Sequence, residues 1–122
     1  MPDELFSLDD RVAIITGGFG QIGKEFSKEL LARGAKVVIW GRKQVTDAQL
    51  AEAFGDAAER VRAFSVDIAN KEAIIDAFEK TKGVWGVPHV LVNNAGIDTQ
   101  PSAPPEVSGP FEEFPEAVWR EV

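Results

Sequence analysis

A glycine-rich segment near the start of the chain constrains the fold more than any other feature. It lies between an apolar run at residues 12–15 and a helical pattern over residues 21–33, and it reads TGGFGQIG. An apolar run, a Gly-x-Gly-x-x-Gly turn and a helix in this order predict a dinucleotide-binding βα unit. The glycines permit a tight turn and a close approach of the backbone to a pyrophosphate, which the start of the helix favours. The candidate cofactor-binding residues are Gly17, Gly18, Phe19, Gly20, Gln21, Ile22 and Gly23.

The other interpretation of this segment is a glycine-rich turn that binds nothing. Three further apolar runs, at residues 37–40, 61–66 and 90–92, favour the first interpretation, because helical patterns fill the intervals between them. Residues 1–96 are therefore predicted to form a dinucleotide-binding βαβαβαβ unit. Strands that alternate with helices predict an α/β fold with a parallel sheet and right-handed crossovers. The expected Rossmann-type doubly wound sheet has the order 3-2-1-4, is only the first half of the complete fold, and leaves strand 4 as an open edge.

The helical intervals carry their own start and stop signals. A capping box at residues 46–49 begins the second helix, and Asn70 can cap the third. Gly34 and Gly83 are the predicted stops of the first and third helices. The predicted apolar faces are Ile22, Phe26 and Leu30 in the first helix and Ile74, Ile75 and Phe78 in the third.

The composition changes after Gly96. Residues 97–115 contain five of the seven prolines, have no apolar periodicity, and are predicted to form a proline-rich loop. Residues 116–122 are predicted to begin a helix, with Pro115 suited to its first turn. We expect that the chain is the N-terminal part of a longer protein and that this helix is cut short.

The second apolar run ends at a site that selects between cofactors in dinucleotide-binding folds. An acidic residue at this strand end binds the ribose 2′-hydroxyl of NAD, whereas this chain has Gly41, followed by Arg42 and Lys43. The missing carboxylate removes repulsion of a 2′-phosphate, and the Arg42 guanidinium can bind that phosphate through several donors. The sequence thus favours NADP(H) over NAD(H). The alternative is that the two cations belong to an ordinary solvated loop.

The third and fourth apolar runs end in polar and small residues. The carboxyl ends of strands line the ligand crevice of an open α/β sheet. Asp67 can accept a hydrogen bond from an adenine amino group or cap the following turn, and the spacing leaves both roles open. The small and amide side chains of residues 93–96 (NNAG) allow a nicotinamide ribose to approach, or form a plain turn. The candidate cofactor-binding residues here are Asp67, Ile68, Asn93, Ala95 and Gly96.

The composition excludes several chemistries. The chain has no Cys, no Tyr and one His, so thiolate sites and phenol acid–base catalysis are excluded, and we expect no metal site. Its 20 acidic and 13 basic residues argue against a nucleic-acid partner. No apolar run is long enough to cross a membrane, and the N-terminus does not resemble a secretory signal. We therefore expect a cytoplasmic protein with no membrane partner.

Taken together, the motifs resemble the short-chain dehydrogenase/reductase family over about residues 8–119. The resemblance depends on the glycine loop, Arg42, the Val66-Asp67-Ile68 segment and the NNAG segment. It implies an NADP(H)-dependent oxidoreductase that transfers hydride between a nicotinamide and an alcohol or carbonyl. It also implies that Asp67 contacts adenine and that Arg42 selects NADP. By the same resemblance Asn93 stabilises the centre of the sheet, and Ala95 and Gly96 face the ribose.

The family's catalytic Tyr, Lys, Ser and Asn correspond to positions beyond residue 122. By this resemblance the chain holds no catalytic residue, and we expect it to be inactive alone. Two alternatives remain open. The chain is either a stand-alone nucleotide-binding module or an assembly half that pairs with itself or a partner through the open edge strand.

Overall fold

The computed structural model describes residues 4–96, 110–113 and 115–120. Four strands form one parallel sheet: β1 (Val12–Thr16), β2 (Lys36–Gly41), β3 (Val61–Ser65) and β4 (Val90–Val92). The helices are α1 (Gln21–Ala32), α2 (Asp47–Phe54), α3 (Lys71–Trp85) and the short α4 (Glu116–Trp119). Short 3-10 turns span Glu4–Phe6, Gly55–Arg60 and Phe111–Glu113. The strand order β3-β2-β1-β4 confirms the predicted Rossmann-type sheet.

The two central strands, β1 and β2, are covered on both faces. One face of the sheet packs its apolar residues against Leu31 of α1 and against Leu50 and Phe54 of α2. The other face packs Trp40 and its neighbours against Ala77 of α3. Burial on both faces explains why these strands are continuous apolar runs rather than alternating ones. The predicted capping box of α2 is present, because the Thr46 and Gln49 side chains each bond to the backbone of the other residue.

The buried face of α1 differs from the predicted one. Ile22 and Phe26 are 66% and 47% exposed, whereas Gly23, Ser27 and Leu31 are buried. The first two turns of the helix therefore present small residues, Gly23 and Ser27, to the sheet and the loop. Small side chains permit a closer approach of a helix to the strands and to the loop that precedes it. The predicted apolar face was therefore wrong for Ile22 and Phe26, whereas Leu30 packs against the core as expected.

Helix α3 also departs from its prediction. It continues through Gly83 to Trp85 and ends at Gly86, whose φ of +91° suits a glycine. A glycine inside a helix is unfavourable by only about 1 kcal/mol, which tertiary packing can outweigh. The buried residues of α3 are Ala77 and Thr81, and the Thr81 hydroxyl accepts a hydrogen bond of 3.2 Å from the Trp40 indole.

The edge strand β4 matches the prediction of an open apolar edge. Within the described part of the chain β4 pairs with β1 alone, and Leu91 is 58% exposed. At the amino end of β4, away from the strand carboxyl ends, His89 Nδ1 accepts a 3.0 Å hydrogen bond from the Val12 amide. His89 thereby links β4 to β1, which agrees with a structural role.

The predictions for the C-terminal part fall only partly on described residues. Residues 97–109, 114 and 121–122 lie outside them, so the proline-rich loop and the end of the last helix stay predictions. The described residues 110–113 and 115–120 contain a 3-10 turn and α4. None of the helices in the described ranges has the length and apolar character that crossing a membrane requires.

Candidate functional site

A cleft of about 720 Å³ lies where the carboxyl ends of the strands meet. This is the position at which open α/β sheets bind ligands. Eleven of the fifteen predicted cofactor-binding residues line it: Gly17, Gly20, Gln21, Ile22, Gly23, Gly41, Arg42, Asp67, Ile68, Ala95 and Gly96. The tertiary structure thus brings together segments that are more than seventy residues apart in the sequence.

The glycine loop turns sharply at the end of β1. Gly17 has a φ of +66°, a conformation that side chains other than glycine rarely adopt. Its amide donates to the Trp40 carbonyl at 2.7 Å, and its carbonyl accepts from the Gly20 amide at 3.0 Å. These bonds fold the loop back over the ends of β1 and β2, so that α1 begins directly beside the cleft.

Two other glycines of the loop are required by close packing. A Cβ on Gly23 would overlap the Gly17 carbonyl oxygen and lie 2.9 Å from the Asn94 amide nitrogen. A Cβ on Gly18 would lie 2.6 Å from Ile15 Cγ2. Gly23 therefore permits α1 to contact the loop, and Gly18 permits the loop to contact the core of the sheet. The two glycines have different functions even though they belong to one motif.

The start of α1 provides backbone donors at the cleft. Gly20 is the N-cap residue and, having no side chain, leaves the first-turn amides without a side-chain acceptor. Gln21 and Ile22 begin the helix and both line the cleft. A helix start has free N–H groups and a partial positive charge, which together bind anions such as phosphate.

Four of the predicted residues lie away from the cleft in the part of the chain that the structure describes: Gly18, Phe19, Lys43 and Asn93. Phe19 instead packs edge-on against Phe54, with ring centroids 6.4 Å apart, and the Lys24 ammonium lies 4.5 Å from the Phe19 centroid. Phe19 therefore anchors the glycine loop to α2. Lys43 and Asn93 are both exposed.

The junction between β1 and β4 depends on two residues that sequence reasoning did not select. The Thr16 hydroxyl accepts hydrogen bonds of 3.0 Å from the amides of both Asn94 and Ala95. The Asn94 side-chain amide donates to the Gly17 carbonyl at 3.2 Å. Asn94 thus joins the end of β1 to the glycine loop, whereas the role implied for Asn93 stays a prediction. The predicted strand order, which places β4 beside β1, was the signal that the residues at these two strand ends meet.

The ends of β2 and β3 form the opposite wall of the cleft. The Arg42 side chain is exposed, and its carbonyl accepts a 3.0 Å hydrogen bond from the Ser65 hydroxyl. Asp67 Oδ1 accepts a 3.0 Å bond from the Ala69 amide, so one carboxylate oxygen caps the turn. Because a carboxylate has two oxygens, the capping bond leaves the second as a possible acceptor for a ligand. The two roles considered for Asp67 are therefore compatible.

Five further residues line the cleft: Trp40, Val66, Ala69, Asn94 and Arg120. Arg120, the residue after α4, lines the cleft, and its guanidinium bonds to the Glu116 carboxylate at 2.6 Å. Among the described residues there is no group of three or more His, Cys, Asp or Glu that could hold a metal ion. The wall of the cleft therefore combines glycines and other small residues with apolar side chains, the Asp67 carboxylate and two arginines.

Comparisons with known proteins agree with this geometry. The model of the short chain dehydrogenase family matches residues 11–122. An uncharacterized oxidoreductase of Staphylococcus saprophyticus is 36% identical over 94 residues, which are 76% of this chain and 40% of that protein. Cis-4-hydroxycyclohexanecarboxylate dehydrogenase of Sinomonas cyclohexanicum is 33% identical over 113 residues, which are 93% of this chain and 42% of that protein.

A solved structure of a reductase is also similar to part of this chain. The 3-ketoacyl-(acyl-carrier-protein) reductase from Brucella melitensis, complexed with NADH, superposes with a TM-score of 0.67 at 33% identity. The match covers 79% of this chain and 38% of the reductase. The chain thus spans about 40% of the length of the relatives that it matches. With its glycine loop, its strand order and a family match over nearly all of its length, the chain belongs to the short chain dehydrogenase family.

Proposed function

We propose that this chain binds NADP(H) as the cofactor-binding part of an oxidoreductase that transfers hydride between a nicotinamide and an alcohol or carbonyl. The observation that carries the proposal is the contact of α1 with the glycine loop at Gly23. This contact brings the first turn of α1, with its free amides, to the edge of the cleft. A pyrophosphate needs such an arrangement of backbone donors.

The residues present fit a nicotinamide dinucleotide. A volume of about 720 Å³ is within the usual range for cofactor sites. The helix start would hold the pyrophosphate, Asp67 and Ile68 would border the adenine, and Ala95 and Gly96 would border the nicotinamide ribose. When bound, the cofactor supplies or accepts the hydride. The relative from Brucella melitensis, whose structure contains NADH, supports a cofactor of this class.

The preference for NADP(H) depends on the end of β2. Apart from its chain neighbours Trp40 and Arg42, no heavy atom of the described residues lies within 4 Å of the position that a Cβ on Gly41 would take. The space beside Gly41 is thus open to a 2′-phosphate, and Arg42 lines the same cleft with an exposed guanidinium. Lys43 adds a second positive charge one residue further on. A guanidinium and a neutral wall favour a phosphate over a ribose hydroxyl.

The hydride-transfer reaction is proposed for the whole protein, and cofactor binding is proposed for this chain. The 122 residues contain no Tyr, so this chain has no phenol to exchange a proton with the substrate oxygen. Its own residues bind and orient the dinucleotide, and Arg42 selects the phosphorylated form.

The proposal is tested by titrating the chain with NADPH and with NADH in a calorimeter. We expect saturable binding of one molecule per chain, with a lower Kd for NADPH. Trp40 lines the cleft, so we also expect NADPH to quench tryptophan fluorescence with the same midpoint. If neither nucleotide binds saturably, the proposed function is wrong. If NADH binds more tightly than NADPH, only the role assigned to Arg42 is wrong.

A second candidate function is assembly through β4. Its support is the open edge with Leu91 exposed, since unpaired strand edges bind other strands. We expect a concentration-dependent dimer in light scattering after size exclusion. The variant Leu91→Lys places a charge on the edge at an already exposed position and is expected to restore the monomer. A wild-type chain that stays monomeric at every concentration would contradict this candidate and leave cofactor binding unaffected.

A further inference from the structure

Ser27 is a fully buried hydroxyl beneath the glycine loop. Ser27 is 0% exposed, and its Oγ donates to the Gly23 carbonyl at 2.9 Å and to the Gly18 carbonyl at 3.2 Å. A serine hydroxyl has one hydrogen, so the two carbonyls share it in a three-centre bond. The bond to Gly23 is the ordinary bond of a helical serine to the residue four positions earlier. The bond to Gly18 is different, because it joins α1 to the loop.

The bond to Gly18 fixes the direction of one peptide plane in the loop. A peptide unit is planar and trans, so the Gly18 carbonyl and the Phe19 amide point in opposite directions. Since the Gly18 oxygen is held toward Ser27 in the interior, the Phe19 N–H is directed away from α1. The hydroxyl therefore sets the orientation of the Gly18–Phe19 peptide, which leads directly into the Gly20 N-cap and the first turn of α1 at the cleft.

The surroundings of Gly18 give this bond its importance. The loop packs there against Ile15 and Ile39, whose side chains offer no donor to the Gly18 carbonyl. A buried carbonyl that loses its donor is unfavourable, and the peptide plane is then driven to rotate toward another partner. Removal of the Ser27 hydroxyl is thus expected to change the loop even though Ser27 does not line the cleft.

We propose that Ser27 is a positioning residue for the pyrophosphate of the cofactor. It holds the Gly18 peptide, and through it the donors of the glycine loop, in the orientation that binds the phosphates. The proposal rests on the proposed function, because it assigns a role toward the same dinucleotide. It differs in that the residue acts from the interior, through the loop.

The variant Ser27→Ala removes the hydroxyl and adds no bulk. Its matched control is Leu31→Val, on the same buried face of α1 and one turn further from the loop. Each variant is titrated with NADPH, which contains a pyrophosphate, and with adenosine 2′-monophosphate, which does not. We expect Ser27→Ala to raise the Kd for NADPH by about three- to tenfold, as for one hydrogen bond. The Kd for the monophosphate is expected to stay within about twofold, as are both Kd values of Leu31→Val.

A second measurement follows the loop in the free protein. We expect amide hydrogen exchange of Phe19 and Gly20 to become faster in Ser27→Ala and to stay unchanged in Leu31→Val. Unchanged exchange, unchanged NADPH affinity, or equal losses for both ligands would each overturn the role of Ser27. If the wild-type chain binds neither ligand, the proposed function itself fails. If the wild-type chain binds NADPH and Ser27→Ala binds it equally well, only the role of Ser27 fails.

Discussion

Replacement of Gly23 by alanine is expected to abolish dinucleotide binding and to destabilise the chain. The new Cβ would overlap the Gly17 carbonyl oxygen and lie 2.8 Å from the Gly17 carbonyl carbon. Both are backbone atoms, which cannot rotate away as a side chain can. Overpacking of this kind costs about 1–3 kcal/mol, and here its relief requires α1 to move away from the loop. The same movement takes the first-turn amides out of reach of the pyrophosphate.

The matched control is Gly83→Ala, which makes the same substitution inside α3. There, no heavy atom of the described residues lies within 4 Å of the new Cβ, apart from the helix backbone itself. Alanine is the better helix former by about 0.8–1.0 kcal/mol, so this variant is expected to gain stability. Urea unfolding and NADPH titration of both variants measure the two effects. Gly23→Ala with wild-type affinity for NADPH would contradict the assignment of the loop as the pyrophosphate site.

Replacement of Gly41 by aspartate is expected to reverse the cofactor preference. The side chain has open space at the end of β2 and would place a carboxylate beside Arg42, where the 2′-phosphate is proposed to bind. Two like charges about 4 Å apart near a protein surface interact by about 4 kcal/mol. Even half of that energy corresponds to a Kd for NADPH that is raised by about 30-fold. The carboxylate can instead accept a hydrogen bond from the ribose 2′-hydroxyl of NADH.

The control for this prediction is Gly41→Asn, which has nearly the same size and no charge. We expect Gly41→Asn to weaken NADPH binding far less than Gly41→Asp, because it adds no repulsion. Titrations of both variants with NADPH and NADH at low and high salt measure the effect, and the difference between them is expected to shrink with added salt. Equal losses in the two variants would show that bulk, rather than charge, decides the preference.

The sequence was sufficient to predict the sheet and its order. Four apolar runs separated by helical patterns predicted a parallel sheet with right-handed crossovers, and the dinucleotide-binding motif implied the strand order 3-2-1-4. The glycine spacing was also sufficient to place a turn and a helix start together at the end of β1. These features are local or topological, so they can be recognised without knowledge of side-chain packing.

The faces of the helices were not predictable in the same way. The apolar stripe of α1 suggested that Ile22 and Phe26 are buried, yet Gly23, Ser27 and Leu31 face the sheet. An amphipathic pattern indicates which face of a helix is apolar. Which face is buried also depends on how closely the helix must approach the loop and the sheet. Here the glycine loop requires a close approach, and only the small residues permit it.

The sequence by itself determined the class of fold and most of the residues that line the cleft. The types of residue at the strand ends already indicated a dinucleotide, because neutral, cationic and small residues follow successive strands in a fixed order. The tertiary structure alone decided which member of each motif faces the cleft. It turned Gly18 and Phe19 inward, bonded Asn94 to Thr16 of β1, and set Ser27 beneath the loop. The physical reason is that these outcomes depend on contacts between segments distant in sequence, where a single carbonyl or methyl group decides the fit.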